Sequence, residues 1–79
     1  MGESQLNPVK TQNFRKFLIK MGCNYVRTNS SHEIWTRQDL NRPIVIQGNK
    51  KEVPKFHIQT NLRTLGISIK KFKEIIEDI

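Results

Sequence analysis

Near Gly22 the spacing of apolar residues in this chain changes, and that change limits the folds open to it more than any other feature. Phe14, Phe17, Leu18 and Met21 recur at intervals of three and four, the stripe of an amphipathic helix, with Thr11 placed to cap its start and Gly22 to end it. From Asn24 the period is two. Residues 25–28 and 32–37 are rich in β-branched and aromatic types, and Asn29, Ser30 and Ser31 between them make a hairpin turn. Residues 38–41 form a polar turn, and Pro43, Ile44, Val45 and Ile46 a third strand whose proline suits a strand start or a sheet edge. Residues 48–53 read as a basic loop. Ile58, Leu62 and Leu65 return to helical spacing and stop at Gly66, after which Ser68 caps a last helix carrying Phe72, Ile75, Ile76 and Ile79 on one face. A chain of 79 residues has room for one core, so the helices must cover one face of a three-stranded antiparallel sheet. The expected class is α+β in the order α-β-β-β-α, with residues 10–79 a single domain and residues 1–9 a loose N-terminal arm or tag remnant.

Charge narrows the partners. Fourteen Lys and Arg stand against seven Asp and Glu, a formal net charge of +7. From Lys10 to Lys73 all fourteen basic residues face only Glu33, Asp39 and Glu52, a net charge of +11 for that stretch. Such a surface attracts a polyanion whatever its sequence, and the spread of the cations along the chain favours nucleic acid over an anionic membrane. The lone Cys23 forms no internal disulfide and leaves no Cys/His set for a metal. No apolar run is long enough to span a bilayer, and the polar start is unlike a signal peptide, so a cytoplasmic protein without a cofactor is expected.

The order α-β-β-β-α is that of the double-stranded-RNA-binding fold. More specific are a helix ending at Gly22, the strand Tyr25-Val26-Arg27, then Ser30-Ser31-His32 with Ile34 behind it, followed by Gly48-Asn49-Lys50-Lys51-Glu52, the run from Ile58 to Leu65, Gly66-Ile67-Ser68 and Phe72. In this order and spacing the chain from about Thr11 to Phe72 resembles the HicA family of toxins from bacterial toxin-antitoxin pairs. That resemblance implies a ribosome-independent mRNA interferase held inactive by a HicB-type antitoxin. The family's signature is a Gly-Ser-His stretch whose His is catalytic, and His32 after Ser31 occupies that place. Ser30 stands where the family has Gly, with Asn29 available to take the positive φ instead, and Glu33 stands where the family often has a second His, next to the expected phosphate.

On residue type alone, His32 fits either a hydrogen-bonded surface residue or a base. With the resemblance, it is the expected catalytic residue of metal-independent RNA cleavage, because imidazole can take the 2′-hydroxyl proton near neutral pH. The 2′-oxygen would then displace the 5′-oxygen and leave a cyclic phosphate. Arg27, one strand over, is the first candidate to stabilise charge on the phosphoryl oxygens. Ser30, Ser31, Lys50, Lys51 and Lys55 complete the expected RNA-binding set. The leaving-group acid is open among Tyr25, a lysine and water, and His57 reads as a surface residue at a helix start. Tyr25 and Trp35 are candidate stacking platforms. Strand alternation separates His32, Ile34 and Thr36 from Glu33, Trp35 and Arg37, and the expectation is Ile34 inside, Trp35 partly exposed and His32 at the sheet rim. A monomer is expected. Two other functions fit the same residues: a non-catalytic RNA-binding domain, and a module that titrates an antitoxin-like partner.

Overall fold

The computed structural model describes residues 6–79, and its elements follow the spacing of the apolar residues. A two-residue strand β1 (Val9–Lys10) leads directly into helix α1 (Thr11–Lys20). Then come strands β2 (Asn24–Asn29), β3 (His32–Thr36) and β4 (Ile44–Gln47), a short strand β5 (Glu52–Val53), and helices α2 (Lys55–Leu65) and α3 (Ile69–Glu77). Strands β2, β3 and β4 form an antiparallel sheet in that order, and β1 pairs antiparallel with β5 in a second, two-stranded sheet. The result is α+β with the expected helix and strand order.

The core forms between one face of the three-stranded sheet and the helices. Phe14, Phe17 and Leu18 on α1 are fully buried, and Phe72 on α3 meets the first two with ring centroids 6.0 and 4.8 Å away. Ile58, Leu62 and Leu65 bury the apolar stripe of α2. Gly66 ends α2 in the left-handed region at φ 74°, and the Ser68 hydroxyl accepts the Lys71 amide to open α3.

Four local expectations are corrected. Trp35 is buried, at 4 % exposure, and Ile34 is only partly covered, because β4 decides which face is inner. Ile44 and Ile46 are both buried and lie opposite Trp35 and Glu33, whereas Ile34 lies opposite the exposed Val45. Thr11 does not cap α1. It is the first residue of the helix, and its hydroxyl donates to the Lys50 carbonyl at 2.6 Å while its amide donates to that of Lys51 at 2.8 Å. That same loop ends in β5 rather than staying irregular, and Val53 is buried. Folded structure also begins before Lys10: Leu6 is buried and Val9 pairs with Val53, while residues 1–5 of the expected arm lie outside the described residues.

Candidate active site

The hairpin of β2 and β3 brings His32 to a position that the sheet itself leaves uncovered. His32 opens β3, directly opposite Asn29 on one side and Gln47 on the other. One pleat further along, Ile34 lies between Arg27 and Val45. Residues opposite one another point to the same side, so Arg27, Asn29, His32, Ile34, Val45 and Gln47 form the face away from Trp35, Ile44 and Ile46. A register shift between Tyr25 and Arg27 sets this arrangement. Without the extra residue, Arg27 would fall on the face that holds Trp35. Arg27 is thus the diagonal neighbour of His32 on the open face, within reach of a common phosphate.

Helix α2 turns this open face into a groove. Its Asn61 is buried and donates to the Val45 carbonyl at 3.3 Å, which gives the edge strand β4 a partner. Asn41 and Arg42, just before β4, share a depression with Thr60, Arg63 and Thr64, near the end of α2. The helix therefore runs antiparallel to β4, and its start lies beside Gln47 and His32. Between them is a groove of about 370 Å³ lined by His32, Val45 and Gln47 from the sheet, His57, Thr60, Asn61 and Thr64 from α2, and Arg42 and Pro43 from the preceding loop. Among the described residues, no carboxylate lines it.

The turn that presents His32 is strained at one residue and tied at another. Ser30 itself, not Asn29, takes the positive φ, at 59°. This is the first position of a two-residue hairpin turn, where glycine is favoured. A side chain in that region costs about 1 kcal/mol, so Ser30→Gly is expected to raise stability by about 1 kcal/mol in urea unfolding, with no loss of β2–β3 pairing. The Ser31 carbonyl accepts the Gly48 amide at 2.8 Å, which joins the turn to the end of β4.

Glu33 points to the side opposite His32, so it does not put a negative charge beside a phosphate in the groove. The Arg15 guanidinium donates to both of its oxygens, at 3.0 and 2.7 Å to the nearer one, and the Trp35 indole donates to the other at 3.1 Å. Arg15 also donates to the Gly48 carbonyl at 3.0 Å. A side chain at Gly48 would collide with the Glu33 carboxylate, so only glycine admits this approach. The hydrogen bonds from Arg15 hold the Glu33 carboxyl below its ordinary pKa of 4.5, against the opposing effect of burial. Because the folded value is the lower one, the pair's stabilisation is complete above the ordinary carboxylate range and is lost as pH falls through the folded pKa. Glu33→Gln is expected to cost about 1–2 kcal/mol at neutral pH, between the surface and buried cases, and to flatten the acid limb of a stability-against-pH curve.

Of the residues expected to bind RNA, the structure groups Arg27, Ser30 and Ser31 with His32. Lys50 and Lys51 line a separate depression with Lys10, Gln12 and Arg15, because their loop folds back over the start of α1. Lys55 begins α2, with its ammonium 5.4 Å from the centre of the Phe56 ring. Tyr25 packs edge-on against Trp35 and bonds Thr28, on the face opposite the groove, so neither expected stacking platform adjoins His32. Phe56, next to His57 in sequence, is exposed but is not among the residues that line the groove. Sequence reasoning missed Arg42 and Gln47 and undervalued His57.

Among the described residues, no three of His, Cys, Asp and Glu gather where they could hold a metal ion, and no helix is long and apolar enough to cross a membrane. A family model described as the HicA toxin of bacterial toxin-antitoxin systems matches residues 12–67. No curated protein and no solved structure matches the chain.

Proposed function

Because the chain belongs to the HicA toxin family of bacterial toxin-antitoxin systems, we propose that it is an mRNA interferase that acts without the ribosome and without a metal, with His32 as its base. The observation that carries this reading is the position of His32: uncovered, at one end of a groove that no carboxylate of the described residues lines, with Arg27 diagonal to it on the same sheet face. His32 takes the 2′-hydroxyl proton, and the 2′-oxygen attacks phosphorus while Arg27 meets the charge developing on the phosphoryl oxygens. Ser30 and Ser31 flank the reacting phosphate. Lys50, Lys51 and Lys55 hold the chain of phosphates beyond it. The family implies a HicB-type antitoxin as partner. In the cell it would cover the His32 face with an acidic surface and silence a monomeric toxin in the cytoplasm.

Binding through these cations predicts a steep salt dependence. Four phosphate contacts give a slope near −3 in log affinity against log salt, so raising salt from 50 to 200 mM should weaken single-stranded RNA binding roughly fiftyfold. A flat response in fluorescence anisotropy would remove the electrostatic basis of the reading. The function itself is tested by inducing the gene in growing cells and by incubating the purified protein with RNA in EDTA. Growth arrest and metal-free cleavage are expected. A folded protein that binds RNA but never cuts it would be the non-catalytic binder instead.

A further inference from the structure

The groove holds a second imidazole, and its place follows from the packing of α2. Asn61 is bonded to Val45. Four residues earlier on the same helix face stands His57, about 6 Å back along the axis. Two residues further along β4 stands Gln47, also about 6–7 Å from Val45. Since α2 runs antiparallel to β4, these two steps go the same way, and Gln47 is the direct neighbour of His32. His57 and His32 therefore face one another across the same end of the groove, one on the helix wall and one on the sheet.

We propose that His57 is the leaving-group acid of the cleavage reaction, paired with His32 as the base. Transfer at phosphorus needs both. As the neutral His32 imidazole removes the 2′-hydroxyl proton, the 2′-oxygen pair forms the new bond to phosphorus. The bond from phosphorus to the 5′-oxygen breaks, its electron pair stays on that oxygen, and the proton of the His57 imidazolium neutralises it. The products are a 2′,3′-cyclic phosphate and a free 5′-hydroxyl, with His32 protonated and His57 neutral until water exchanges their protons. Base and acid must stand on opposite sides of the phosphate for this in-line displacement, which two groups on facing walls of a groove provide. Among the described residues, the charged groups on these walls are cations: Arg42 in the groove wall, Arg27 on the sheet face, and Lys55 two residues before His57. Tyr25, the tyrosine among the sequence-level candidates for the acid, is on the far face of the sheet.

Assigning the acid in this way rests on RNA cleavage with His32 as base, and the two can fail separately. The test uses a short RNA cut by the intact protein at a mapped position, and a second copy in which the leaving 5′-oxygen there is replaced by sulfur. A thiolate departs without protonation, so loss of an acid is silent on the sulfur substrate. His57→Ala should slow cleavage of the oxygen substrate by at least about a hundredfold and leave the sulfur substrate within about threefold. His32→Ala should slow both substrates. Equal losses on the two substrates from His57→Ala would show that His57 acts by binding or structure, and no loss on either would remove it from the reaction; each result overturns the assignment. If His32→Ala also left both substrates unaffected, the underlying reading would fall with it.

Discussion

Replacing His32 with alanine is expected to lower the rate of RNA cleavage at least about a hundredfold, some 3 kcal/mol in the barrier, while the protein stays folded and still binds RNA. The side chain sits at the exposed start of β3, between Asn29 and Gln47, and belongs to neither the core cluster nor the Glu33 and Arg15 network. Removing it leaves the strand pairing and the cations of the surface in place. Thermal unfolding should shift by no more than a few degrees, and anisotropy should give an affinity within about threefold of the parent, since one solvated imidazole contributes little to either. Cleavage in EDTA is the readout that separates the two proteins. Equal rates would take the catalytic role away from His32.

The second large effect concerns the core. Phe72 is the one fully buried residue of α3 and sits against both Phe14 and Phe17, whose rings are themselves 5.3 Å apart. Phe72→Ala removes that three-ring contact and leaves a cavity where α1 meets α3, at a cost of about 3–5 kcal/mol. A domain of this length has a total stability of roughly 4–12 kcal/mol, so the variant should unfold at a much lower urea concentration or fail to fold at 37 °C. The other apolar residues of α3, Ile69, Ile75 and Ile76, are only partly buried against the core. A loss of less than about 1 kcal/mol in unfolding free energy would mean that α3 is not integral to the core.

The periodic parts of this fold were legible without coordinates. The stripe of Phe14, Phe17 and Leu18, the hairpin around Ser30 and Ser31, the stop at Gly66 and the cap at Ser68 all depend on neighbours a few residues apart, and each stands where the spacing put it. What failed depends on distant pairing. Within β3 alone, either Ile34 or Trp35 could face inward, and the choice is made by Ile44 and Ile46 across the sheet. Strands β1 and β5 have two residues each, too few for a period, so only their mutual pairing reveals them. That Lys50 and Lys51 line a depression apart from His32 is likewise set at a distance, by a loop whose backbone carbonyls are held by Thr11 at the start of α1.

The candidate site divides in the same manner. His32 and Arg27 are close in sequence, joined by one hairpin, and their shared face follows once the register shift is known. His57 shares the groove with Arg42 and His32 only because α2 packs along β4, where Asn61 bonds Val45 sixteen residues earlier in the chain. One signal for that packing was present: Asn61 interrupts the otherwise apolar run of Ile58, Leu62 and Leu65, and a polar residue in a buried stripe needs a partner. Its partner is the Val45 carbonyl, and that hydrogen bond, beside the buried Ile58, Leu62 and Leu65, marks the packing that brings His57 to the groove with His32.

The most direct measurement of the central claim is the chemistry of the cut ends. RNA digested by the intact protein in EDTA and examined by mass spectrometry should carry a 2′,3′-cyclic phosphate on the upstream fragment and a free 5′-hydroxyl on the downstream one, because the attacking group is the neighbouring 2′-oxygen. Fragments ending in a 3′-hydroxyl and a 5′-phosphate would show that water attacked instead, and would contradict the role given to His32.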